Sequence, residues 1–68
     1  MVKIGLVGTG MLGKAVGLNL LESGNSLTVY NRTISKTESL REKGANVADQ
    51  PKHVAESSDL VITCVKDA

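Results

Sequence analysis

Aromatic side chains are almost missing from this sequence: Tyr30 stands alone, without a single Trp or Phe, and its apolar surroundings assign it to strand packing. Cysteine is equally scarce. The lone Cys64 has no partner for an internal disulfide and no His at metal-ligand spacing, and inside an apolar segment its thiol behaves as a small hydrophobe. No apolar run approaches the roughly 20 residues that cross a bilayer. Neither sign of charge dominates, since eight Lys and Arg face seven Asp and Glu for a net +1. Such an interspersed balance builds no basic surface, which removes nucleic acid as an expected partner. The opening Met-Val-Lys-Ile-Gly lacks a signal-peptide pattern, so the cytoplasm is the expected compartment.

What is present points to one small folded unit. At 68 residues, with 41% hydrophobic and 22% charged side chains, the chain has the composition of a folded domain and no room for a second one. Val2, Ile4, Leu6 and Val7 make an apolar run closed by glycines, predicting a buried strand from Lys3 to Val7. From Leu12 onward, Ala15, Val16, Leu20 and Leu21 recur at helical spacing until Gly24, a residue suited to a left-handed terminus. Leu27 to Tyr30 reads as a second strand. Ser35 and Glu38 fit a capping box that opens a second helix from about Lys36 to Lys43, stopped by Gly44. A brief extended piece at Asn46 to Ala48, a short helix with Pro51 in its first turn, and a third strand from Leu60 to Val65 complete the order. Alternating strands and helices with short links predict an α/β fold, a βαβαβ unit with three parallel strands joined by right-handed crossovers. In that arrangement the first strand is an open edge and one sheet face is bare, so self-association through the first strands is expected.

The informative motif is Gly8-Thr-Gly10-Met-Leu-Gly13, directly after a strand and at the mouth of a helix. Gly8 permits the sharp turn, Gly10 lets a pyrophosphate approach bare backbone, and Gly13 allows helix and strand to pack closely. The helix start adds free N–H groups and a partial positive charge. About 20 residues further on, the end of the second strand ordinarily carries the carboxylate that holds the ribose hydroxyls of NAD. Asn31 stands there instead, followed by Arg32 and Thr33. A neutral Asn31 does not repel a 2′-phosphate, Arg32 offers it a planar charged fork, and Thr33 and Lys36 add donors, so the expected cofactor is NADP. His53, with no Cys, Asp or second His counted beside it, is read as a solvated helix residue, and Gly17 as a packing glycine.

Three stretches, Lys3-Ile-Gly-Leu-Val-Gly-Thr-Gly-Met-Leu-Gly, Leu27-Thr-Val-Tyr-Asn-Arg-Thr and Ser58-Asp-Leu-Val-Ile-Thr, together resemble the amino-terminal Rossmann cofactor domain of the β-hydroxyacid dehydrogenases. That family includes 3-hydroxyisobutyrate dehydrogenase, tartronate semialdehyde reductase and 6-phosphogluconate dehydrogenase. The resemblance covers essentially the whole chain. It implies that Asn31, Arg32 and Thr33, with Lys36, hold the 2′-phosphate of NADP, and that Thr9, Met11 and Leu12 lend backbone to the pyrophosphate beside Gly8, Gly10 and Gly13. It also implies that Val65 and Lys66, after the third strand, pass near the nicotinamide half.

The chain departs from the family pattern at Leu12, at Val16-Gly17 and at Val65-Lys66. The family's catalytic Lys and Asn lie beyond the region matched, so no residue here is assigned a catalytic role. Residues 1–68 are expected to be the cofactor-binding part of an oxidoreductase that moves hydride between NADP(H) and a β-hydroxyacid or related semialdehyde, with the substrate domain outside this chain. The alternatives are a non-catalytic NADP(H)-binding module and the cofactor domain of an enzyme similar to pyrroline-5-carboxylate reductase, which shares the opening motif.

Overall fold

Strand β1 (Lys3–Val7) places Ile4 and Leu6 on one face and Gly5 on the other, because successive side chains of a strand point to opposite sides. This computed structural model describes residues 2–8 and 11–63, with backbone alone for Met11, Leu12 and Lys36. Helix α1 (Met11–Glu22) follows, then β2 (Ser26–Tyr30), a 3₁₀ turn (Ile34–Thr37) running into α2 (Glu38–Glu42), β3 (Asn46–Val47), α3 (Pro51–Ser57) and β4 (Leu60–Thr63). The fold is α/β with an all-parallel sheet of Rossmann type, and its strand order is β3-β2-β1-β4.

Register builds two layers around that sheet. Ile4 lies opposite Leu27 and Leu6 opposite Val29, and these four close against Leu40 of α2 and Ala45. Leu18, Leu20 and Leu21 of α1 pack on the same cluster. On the reverse face Gly5 is in register with Thr28 and with Val61. There α3 comes so close that a Cβ on Gly5 would stand 2.5 Å from Val54 Cγ1 and from Ser58 Oγ. Val54 is fully buried under this contact. The helix ends follow local chemistry: Gly24 and Gly44 take φ of +85° and +111°, as expected of glycine just past a helix, and Pro51 sits in the first turn of α3, where its missing N–H leaves no bond unmade.

Several expectations are corrected. The sheet has four strands rather than three, because Asn46–Val47 pairs with Thr28–Val29 and the strand beginning at Leu60 crosses to the far side of β1. The first strand is therefore central and hydrogen-bonded on both sides, so it is not the edge through which copies would join. The face thought bare is covered too: Ile4, Leu6 and Val29 are buried beneath α1 and α2, and α3 takes the other side, leaving Val61 40% exposed. The segment read as one helix from Lys36 to Lys43 begins as a 3₁₀ turn, with Ser35 inside it and no side-chain cap at Thr33 or Thr37. The capping box does not form; instead the buried Thr37 hydroxyl donates to the Ile34 carbonyl at 2.6 Å. The last strand is seen as Leu60–Thr63, and Cys64 and Val65 lie outside the described residues.

Candidate cofactor site

The chain leaves β1 for β2 and β3 on one side and returns to β4 on the other. The order of the strands thus reverses between β1 and β4, and it is beyond the carboxyl ends of the strands at such a reversal that open parallel sheets take ligands. Gly8 stands at the carboxyl end of β1 with φ +88°, a left-handed conformation that side chains rarely adopt. Its N–H donates to the Tyr30 carbonyl at 2.8 Å, tying the turn after β1 to the end of β2. The motif glycine and the residues that follow Tyr30 thus share one rim.

Helix α1 starts at Met11 and carries no acidic residue in its first turn. The first N–H groups of a helix lack intrahelical acceptors, so the backbone of Met11, Leu12 and Gly13 faces an incoming anion without a competing carboxylate. Gly13 is buried. One turn on, a Cβ at Gly17 would stand 2.9 Å from Leu40 Cδ2 and 3.3 Å from Leu27 Cδ2, so this glycine serves packing, as expected. On the β2 side of the rim, Asn31 Nδ2 donates to the Thr33 carbonyl at 3.0 Å. Arg32 and Thr33 are exposed, and Thr33 makes no capping bond with its side chain. Lys36 lies within the 3₁₀ turn that follows. Thr9 and Gly10, and likewise Val65 and Lys66, fall outside the described residues.

The rim joins a glycine turn, an unblocked helix start and a guanidinium, a donor set suited to a ligand with two separated phosphate groups. Among the described residues one ion pair occurs, and it leaves Arg32 unengaged: His53 Nδ1 meets Asp49 Oδ1 at 2.7 Å. This corrects the reading of His53 as lacking a nearby Asp. The pair borders a groove of about 680 Å³ shared with Lys3, Ser26 and Thr28. Asn46, Val47 and Ala48 line it too, so the groove runs from the starts of β1 and β2 across to β3, beside α3. Sequence reasoning passed over Gly5, although an isolated glycine within a strand signals close approach of another element, here α3.

A family model described as the NAD binding domain of 6-phosphogluconate dehydrogenase matches residues 3–68. The chain belongs to this family. A relative from Arabidopsis thaliana, "Probable 3-hydroxyisobutyrate dehydrogenase-like 1, mitochondrial", is 52% identical over 63 residues, covering 93% of this chain and 19% of its own. Among solved structures, an imine reductase from Myxococcus stipitatus in complex with NAD+ superposes with a TM-score of 0.93 at 28% identity, over 98% of this chain and 23% of its own. A reductive aminase from Aspergillus terreus in complex with NADPH and ethyl levulinate gives 0.90 at 34% identity, over 98% and 24%. The chain spans about a fifth to a quarter of the length of these proteins. The family thus supplies a nicotinamide dinucleotide-binding domain to dehydrogenases and reductases, and its structural neighbours carry either form of the cofactor.

Proposed function

We propose that this chain seats NADP(H) for an oxidoreductase whose substrate-binding part lies outside residues 1–68. In this reading Gly8, Thr9, Gly10 and the backbone of Met11, Leu12 and Gly13 receive the pyrophosphate, while Arg32, with Thr33 and Lys36, neutralises the 2′-phosphate. Val65 and Lys66, which lie outside the described residues, are assigned to the nicotinamide half on the family resemblance alone. When bound, the nicotinamide supplies or accepts hydride; the residues of this chain bind and orient it. The observation that carries the choice of NADP is the exposed Arg32 beside a neutral Asn31 at the end of β2, where no carboxylate repels a phosphate. The substrate class is a β-hydroxyacid or its semialdehyde. The 52% identity to a 3-hydroxyisobutyrate dehydrogenase-like relative supports it over an imine, since the imine-acting neighbours stand at 28% and 34%.

Calorimetric titration of NADPH and NADH against the chain and against Arg32→Ala tests the cofactor assignment. Loss of a charge-assisted hydrogen bond weakens NADPH by ~1.5–3 kcal/mol and leaves NADH nearly unchanged. Equal losses for the two cofactors would remove Arg32 from the phosphate site and NADP from the reading.

A further inference from the structure

The two faces of the sheet differ in chemistry. Toward α1 and α2 the strands present Ile4, Leu6, Leu27 and Val29, whereas the alternate positions of β1 and β2, on the α3 side, include Lys3, Ser26 and Thr28, with Asn46 in register beside Thr28. An all-parallel sheet is ordinarily apolar on both faces. These four polar residues line the groove beside α3. Thr28 is only 9% exposed, yet its hydroxyl has no hydrogen-bond partner among the described residues, and the Lys3 ammonium enters no ion pair among them. Charge is laid out along the groove as well. The strands are parallel, so Lys3, which begins β1, and Asp49, two residues past β3, lie toward opposite ends of the sheet. One Asp49 oxygen accepts from His53 Nδ1 at 2.7 Å, which leaves the second to another donor. The Asp59 carboxylate is turned instead to the Lys3 backbone N–H at 3.4 Å, and Asp59 does not line the groove.

We propose that this groove binds a small zwitterion of the amino-acid or short-peptide class, its carboxylate on Lys3, its ammonium on Asp49 and its polar groups between them against Thr28 and Asn46. An ion of one sign meets a like charge at one end of the groove, whereas a zwitterion meets an opposite charge at both. The groove shares no residue with the glycine turn or with the stretch after β2, so its ligand and the dinucleotide bind independently.

Titration of the ¹⁵N-labelled 68-residue chain with triglycine, followed by amide chemical shifts, tests the site. Saturable shifts are expected at Lys3, Ser26, Thr28, Asn46 and Asp49. Triglycine amide, which lacks the carboxylate, and N-acetyl-triglycine, which lacks the ammonium, should each bind at least about tenfold more weakly. Free glycine distinguishes the sources: weaker binding than triglycine indicates a peptide, tighter binding a free amino acid. Lys3→Met should erase the discrimination against the amide, and Asp49→Asn the discrimination against the acetylated form, because each removes the charge that reads the missing group. Thr28→Val should weaken triglycine by about three- to tenfold, the range of one hydrogen bond, with the spread of amide shifts reporting that each variant is folded. End-blocked peptides that bind as tightly as triglycine would overturn the proposal, as would the absence of saturable shifts or shifts confined to the rim around Gly8 and Arg32.

Discussion

Two glycines of this chain answer to different forces, and substitution by alanine separates them. Gly8 is held at φ +88°, a region that costs an L residue roughly 1–2 kcal/mol. Gly8→Ala should lower the urea midpoint accordingly and weaken NADPH and NADH to the same extent, because the pyrophosphate is common to both; a loss confined to NADPH would contradict its place in the site. Gly17 is required by its neighbours and not by a backbone angle, since an added Cβ would press on Leu40, which is fully buried and cannot swing into solvent. Alanine gains about 1 kcal/mol of helix propensity there and loses about 1–3 kcal/mol to overpacking. Gly17→Ala should be destabilised by about 1 kcal/mol in chemical denaturation, and a raised midpoint would show that Leu40 yields. Both glycines were legible in the sequence: the first from its spacing to Gly10 and Gly13, the second from its place in mid-helix.

Between elements, contact rather than propensity decides the outcome. Helix α3 is held against β1 at Gly5, where an added methyl would stand 2.5 Å from Val54 Cγ1 and Ser58 Oγ. Gly5→Ala forces α3 outward at a cost of about 1–3 kcal/mol. Amide exchange should accelerate through residues 51–57 and stay slow in α1; uniform acceleration would mean that the two layers do not open independently. The contact escaped sequence reasoning because Val54 and Ser58 are about fifty residues away along the chain. The same limit explains the second helix. Ser35 and Glu38 have the spacing of a capping box, but the chain leaving Asn31 turns through a 3₁₀ segment whose lock is Thr37 on Ile34. Local pattern favours the cap, and burial of Thr37 favours the lock.

For the whole molecule, stability and ligand binding are linked. A core this small seldom supplies more than ~3–5 kcal/mol, and a ligand at a hundred times its Kd adds about 2.7 kcal/mol to the folded state. NADPH at that concentration should raise the melting temperature by about 10–20 °C, given the few degrees per kcal/mol typical of domains this size; an unmoved transition would contradict cofactor binding. The open edge also moves from where sequence reasoning set it. Among the described residues nothing pairs with the outer side of β4, whose Leu60 and Val61 are 54% and 40% exposed, whereas β3 is protected by being two residues long. We expect the 68-residue chain to self-associate through β4 and Val61→Lys to weaken that association in sedimentation velocity; a wild-type chain that stays monomeric at high concentration would refute it.

Periodicity and glycine spacing alone determined that strands and helices alternate, that a glycine turn follows the first strand and opens a helix, and that Asn31 and Arg32 follow the second strand, because each of these is written in residues close together. Which strand lies beside which was settled only in three dimensions. A two-residue β3 is too short to announce itself by alternation, so Leu60–Thr63 was counted next to β2 when it belongs on the far side of β1. That crossing centres β1 and lays α3 on the second face, where Val54 packs close to Gly5 in a contact between residues that no local pattern connects.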